Sequence, residues 1–182
     1  MRIIGTGSEL PKKVVTNDDL SKLVDTSDKW IRERTGIVER HVITSEALEE
    51  LATNAANKAL EDAGIVATQL DYIICSNTIN EYVVPSMASI VGGHIGAQCP
   101  AFDVNAACTG FLYSMDIAEG LLNSGKAEHI LIISAEEICL RVAGNKCFAG
   151  RPMLPLLFRA MPKIKSTRYA GGFLLSLRVR LF

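Results

Sequence analysis

No part of this sequence approaches the ~20 consecutive apolar residues that a membrane-spanning helix requires. Met1-Arg2-Ile3-Ile4-Gly5 opens it without a basic stretch leading into an apolar run. A secretory signal and a membrane span are excluded on this reading, and a cytoplasmic protein with no membrane partner is expected. Cysteine is sparse and unpatterned: positions 75, 99, 108, 139 and 147 form no Cys-x-x-Cys pair, their number is odd, and no histidine stands at ligand spacing from any of them. That argues against a zinc site and a disulfide framework, so no metal is expected and the thiols should be reduced. His41, His94 and His129 are the only histidines and lie far apart in the chain. Each alone reads as structural or exposed. No close pair of carboxylates suggests glycosidase chemistry. Gly5-Thr6-Gly7 lacks the third glycine of a dinucleotide fingerprint and runs into Glu9-Leu10-Pro11 where a helix should open, which excludes a Rossmann site. Acid, finally, is absent from everything beyond Glu137.

What is present is a globular composition: 48% apolar, 21% charged and 6% aromatic over 182 residues. A chain of this length can bury roughly 70% of the surface its unfolded form exposes. Its net charge of −1 conceals a boundary, since Met1 to Glu137 carries a net −10 and Ile138 to Phe182 a net +9. The two parts obey different rules.

Up to Glu137 strands and helices alternate. Arg2 to Gly5 predicts a short strand, Thr16 an N-cap with Leu20, Leu23 and Val24 on the helix behind it, and Ser27 a short helix that Gly36 ends. Ser45 is expected to open the longest helix, which Gly64 closes. Tyr72-Ile73-Ile74-Cys75, Ala101-Phe102-Asp103-Val104 and Ile130-Leu131-Ile132-Ile133 read as buried strands; Ser86 caps a helix of small residues, and another helix carries Phe111, Leu112, Met115, Ile117, Ala118, Leu121 and Leu122. Apolar strands separated by helices predict an α/β fold, a mixed sheet covered by helices on both faces. Beyond Glu137 this grammar fails. Pro152, Pro155 and Pro162 interrupt an apolar stretch, and only the alternation of Leu175, Leu177, Val179 and Leu181 suits a strand. Such a basic tail could attract nucleic acid or anionic lipid. The expectation is instead a segment standing outside the fold, with no nucleic-acid partner.

Cys108 is the main candidate for chemistry. It follows a strand, precedes a helix, and has the small neighbours Ala106, Ala107, Thr109 and Gly110. A helix N-terminus favours a thiolate and can hold an oxyanion. The competing explanation is a buried cysteine filling a gap, which is also the expectation for Cys75, Cys99, Cys139 and Cys147. Trp30 and Arg34 are four residues apart and share a helix face. They can sandwich a planar base and meet a phosphate, or pair with each other over a core edge.

Several motifs together resemble the β-ketoacyl-acyl carrier protein synthase III family. They are Ile3-Ile4-Gly5-Thr6-Gly7 with Leu10-Pro11, Asp25-Thr26-Ser27-Asp28-Lys29-Trp30-Ile31, Arg34-Thr35-Gly36-Ile37, Glu39-Arg40, and Pro100-Ala101-Phe102-Asp103-Val104 with Ala106-Ala107-Cys108 and Gly110-Phe111. The resemblance covers residues 1–137 and implies the N-terminal half of a thiolase-type fold, in a family of homodimers. It implies that Cys108 takes an acyl group, typically acetyl, from acyl-coenzyme A, and that malonyl-acyl carrier protein then loses CO2 and condenses with the thioester. Coenzyme A is then a substrate, and no cofactor is expected. Thr26, Trp30 and Arg34 would grip coenzyme A. Val84 would lie at the acyl pocket and dimer interface; it is smaller than the Phe of some relatives, which leaves acyl preference, and so a different primer, open.

The departures are equally specific. The family's condensation uses a His and an Asn from its second half, and neither stands in a matching motif here; the Gly-Asp-Gly segment expected after the third strand is replaced by the 138–182 tail. A truncated or frameshifted chain lacking condensation is expected, the alternative being a non-catalytic protein that binds acyl carrier protein.

Overall fold

A computed structural model of the chain describes residues 1–78 and 82–135 in full and the backbone of residues 173–178. Cys139, Cys147, the three late prolines and most of the basic tail lie outside the described residues.

The elements follow the expected alternation. Strand β1 (Ile3–Ser8) leads to β2 (Lys13–Thr16), the short helix α1 (Asn17–Ser21), α2 (Asp28–Thr35) and β3 (Glu39–Val42). The long α3 (Leu48–Ala63) precedes β4 (Tyr72–Ser76), α4 (Met87–Ile95), β5 (Ala101–Val104), α5 (Gly110–Asn123) and β6 (His129–Ser134); β7 (Phe173–Arg178) completes the order. The main sheet runs β1-β7-β6-β4-β5, with β4 parallel to both β5 and β6 and β7 antiparallel to β1 and β6. The backbone of β7 thus occupies the sheet although it belongs to the stretch that the charge boundary sets apart. A hairpin-like pair, β2 with β3, forms a second small sheet that the sequence reading did not anticipate.

Two cores line the main sheet. Ile73, Cys75, Leu131 and Ile133 face α3 and α4, while Ile74, Ile130 and Ile132 face α5 with Ala118 and Leu122. This alternation along apolar strands is what a sheet covered on both faces requires. The α/β architecture is as expected. Gly5 and Gly7 find their purpose here, because a side chain at either would meet the backbone of α3 at 2.5 and 2.2 Å, at Ala59 O and Ala55 O. The rejected nucleotide loop is a strand against which a helix lies directly.

One cap differs from expectation. Ser45 does not open α3; Ala47 does, without a side-chain bond. The carboxylate of Glu46 turns back instead to accept the N–H groups of Lys12, Thr44 and Ser45, at 2.9, 3.1 and 3.2 Å. Thr16 and Ser27 do cap α1 and α2, and Gly36 and Gly64 end α2 and α3 at φ of 72° and 67°.

Candidate active site

Residues 107–109, Ala107, Cys108 and Thr109, form one 3-10 turn between the end of β5 and the start of α5. Both the N–H and the hydroxyl of Thr109 donate to Ala106 O, at 3.1 and 2.8 Å. Ala107 holds a φ of +45°, a left-handed conformation rare outside glycine. Non-glycine residues kept there concentrate at functional sites, where surrounding structure enforces the strain. Three residues along, Gly110 is buried, and an added Cβ would lie 2.4 Å from Ser76 Oγ and 3.4 Å from Val104 O. The head of α5 is pressed onto the ends of β4 and β5. Cys108, raised on this turn, is exposed.

The thiol therefore stands beyond the C-terminal ends of the parallel strands, the edge where open α/β sheets bind ligands. It precedes a 14-residue helix, and the N–H groups of Thr109 and Gly110 at the helix head are taken up by Ala106 O and Ala107 O. The positive end of the helix dipole suits a developing oxyanion, and an exposed thiol beside it suits attack on a thioester carbonyl. The other described cysteines do not match this setting. Cys75 is fully buried in the sheet, and burial, helped by the charge of Asp71, pushes the Cys99 thiol up.

Asp103 of β5 braces the same edge. Its carboxylate accepts the N–H of Met87 at 2.8 Å and of Ala88 at 2.9 Å, satisfying the first turn of α4, and Ser86 accepts from Ser89 beside it. Burial raises the Asp103 carboxyl, with those two N–H groups opposing the shift. Val84 lies just ahead of α4 and is 84% exposed, between Val83 and a cis Pro85. With Tyr82 and Val83 it makes a short apolar segment open to solvent.

Trp30 and Arg34 lie on α2, and Thr26 precedes its Ser27 cap. The Arg34 guanidinium carbon lies 4.4 Å from the centroid of the Trp30 ring, so the two side chains do stack on one another. Trp30 nevertheless stays 40% exposed. The Thr26 hydroxyl, just ahead of α2 in the chain, is shielded and has no hydrogen-bond partner among the described residues.

None of the three histidines serves Cys108. His41 Nδ1 donates to Pro11 O at 2.6 Å, in the small sheet. His94 Nδ1 pairs with Thr53 Oγ1 at 3.1 Å, on the α3/α4 face. His129 begins β6, at the opposite end of the parallel strands from the Cys108 turn. Among the described residues no group of three or more His, Cys, Asp or Glu is placed to hold a metal, and no helix is long and apolar enough to cross a membrane. Two asparagines escaped the sequence reading. Asn77, 4% exposed at the end of β4, leaves both side-chain amide atoms without partners while its N–H donates to Val104 O at 3.3 Å; the polar run Ser76-Asn77-Thr78 behind an apolar strand is its only signal. Asn17, buried behind the Thr16 cap, is the other.

Comparison with known proteins decides what this frame is. The family profile for 3-Oxoacyl-[acyl-carrier-protein (ACP)] synthase III matches residues 102–142, which span the cysteine turn. Beta-ketoacyl-[acyl-carrier-protein] synthase III of Xanthomonas campestris is 48% identical over 139 residues, 75% of this chain and 43% of the relative. The synthase III of Aquifex aeolicus is 46% identical over 138 residues, 75% of this chain and 45% of the relative. Its crystal structure superposes with a TM-score of 0.81 at 37% identity, covering 98% of this chain and 54% of that one. Over the matched residues this chain belongs to the β-ketoacyl-acyl carrier protein synthase III family. The crystal structure of the Pseudomonas aeruginosa synthase III agrees, with a TM-score of 0.76, 28% identity and coverage of 98% and 51%. The chain spans about half the length of the relatives it matches, and its described part has their thiolase-type α/β fold over that share.

Proposed function

We infer that Cys108 accepts an acyl group from acyl-coenzyme A, acetyl in the simplest case. The observation that carries this is the exposed Cys108 on its strained turn at the head of α5. The sulfur attacks the thioester carbonyl, the positive end of the α5 dipole stabilises the oxyanion, and the carbonyl re-forms as the carbon–sulfur bond to coenzyme A breaks. Cys108 ends as an acyl thioester, and its proton leaves with the released coenzyme A thiol. Trp30, Arg34 and Thr26 take the nucleotide end of that substrate: an indole face for the base, a guanidinium for a phosphate and an unmet hydroxyl. Coenzyme A is thus a substrate and no cofactor is required. The exposed Val84 segment suits a homodimer contact that closes the acyl pocket, and its small side chain leaves room for primers larger than acetyl. A cytoplasmic setting rests on the sequence alone.

Whole synthase III enzymes go on to condense the acyl group with malonyl-acyl carrier protein. For the 182-residue chain we expect acyl transfer without condensation, because its three histidines are engaged away from Cys108 or set at the wrong end of the strands. A second reading, a non-catalytic partner of acyl carrier protein, is favoured by the acid-free stretch after Glu137, whose net charge of +9 suits an acidic partner. Intact-mass measurement after incubation with acetyl-coenzyme A separates the two. A gain of one acetyl group that Cys108→Ser abolishes supports transfer; capture of acyl carrier protein without any acetylation supports the second reading.

A further inference from the structure

Helix α2 carries Trp30 and Arg34, yet it is poorly anchored by packing. It has eight residues, too few for independent stability, and Ile31 is its one buried side chain. A polar clamp does the rest. Asn17, at 1% exposure, donates from Nδ2 to Asp28 Oδ1 at 2.8 Å and to Ile37 O at 2.8 Å. Asp28 is the first residue of α2, and Ile37 follows the Gly36 that caps its end. One buried amide therefore ties both ends of the helix. Its Oδ1 is held in turn by Arg40 Nη2 at 2.7 Å, and Arg40, buried in β3, anchors to Val15 O of β2 at 3.2 Å. Arg32 Nε closes the other side on both Asp28 oxygens at 2.7 Å. The chain of contacts runs from the small sheet through Asn17 into α2, with no slack amide to rotate.

We propose that Asn17 is a positioning residue: it fixes the orientation of α2 and thereby presents the Trp30–Arg34 pair to the nucleotide of acyl-coenzyme A. The nucleotide part rests on the coenzyme A reading above, while the clamp itself stands on geometry. Asn17 touches no substrate and acts only through the helix.

Trp30 is the sole tryptophan, so its fluorescence reports on α2 alone. The test compares the full chain with Asn17→Asp, which keeps an acceptor for Arg40 but loses both donors to α2, and with Asp28→Ala, which cuts the tie to the helix start. Trp30 anisotropy is read without ligand. Quenching is then titrated with coenzyme A and, as a nucleotide-free control, with pantetheine. Both variants should keep the wild-type circular dichroism, show lower Trp30 anisotropy, and bind coenzyme A about tenfold more weakly, the scale of a lost buried hydrogen bond. Pantetheine should not quench any of the three. Wild-type anisotropy and wild-type coenzyme A affinity in the folded variants overturn the proposal. Should Asn17→Asp not fold, Asp28→Ala carries the same two readouts. A wild-type chain blind to coenzyme A refutes the nucleotide reading instead, and anisotropy alone then judges the clamp: a fall in the variants supports it and no change overturns it.

Discussion

A methyl group added at Gly110 would sit 2.4 Å from the hydroxyl of Ser76. The missing side chain lets α5 seat against the end of β4 and hold Cys108 up on its turn. Gly110→Ala must push α5 off the strand or displace Ser76, an overpacking penalty of about 2 kcal/mol. The expected result is a lowered unfolding midpoint in denaturant together with slower alkylation or acylation of Cys108. Adding Ser76→Gly to Gly110→Ala should recover part of both losses.

Asp103 satisfies two N–H groups at the start of α4. Asp103→Ala leaves both without a protein acceptor, and a destabilisation of about 2 kcal/mol is expected. Asp103→Asn, which retains one acceptor oxygen, should cost about half as much. Hydrogen exchange at Met87 and Ala88 is the direct check, with both amides exchanging faster in Asp103→Ala.

Glu46 gives the chain an acid-sensitive contact. Backbone N–H groups, that of Lys12 foremost, lower its carboxyl from 4.5 to about 2. A carboxylate depressed in the folded state contributes fully above its unfolded value and loses that contribution as pH falls through the folded one. The window is therefore from about 4.5 down to about 2. The thermal midpoint of Glu46→Gln should lie below wild type at neutral pH, and the gap should close across that window.

Arg34 over Trp30 is a surface cation–π pair, worth under about 1 kcal/mol at such an exposure. Arg34→Ala should leave stability nearly unchanged while weakening coenzyme A binding measured by calorimetry. Arg34→Lys should fail to restore it, because an ammonium lacks the planar fork that both stacks on indole and grips phosphate.

Much of this was legible in the residues themselves. The apolar runs at 72–75, 101–104 and 130–133 gave strands because a sheet covered on both faces leaves no solvent side to mark with polar residues. Ser27, Ser86, Gly36 and Gly64 announced helix ends through capping and left-handed backbone. Position alone made Cys108 a plausible nucleophile, and the exposed turn is what separates it from Cys75 and Cys99. The Trp30–Arg34 stack was one of two outcomes that spacing allowed. The rest was not local. Gly5-Thr6-Gly7 looked like half of a nucleotide loop, and only the approach of α3 explains its glycines. Asn17 and Asn77 are ordinary polar residues in the sequence, and their burial depends on elements far away in the chain. Glu46 displaced Ser45 from the α3 cap because Lys12, 34 residues earlier, offered its N–H.

The central claim is that Cys108, alone among five cysteines, is an acyl acceptor. Its most direct test is peptide mapping of the 182-residue chain after brief exposure to isotopically labelled acetyl-coenzyme A, reading the label at each cysteine. The account predicts label on Cys108 and none above background on Cys75, Cys99, Cys139 and Cys147. Label distributed among the cysteines in proportion to their general thiol reactivity, or absent from Cys108, would contradict it.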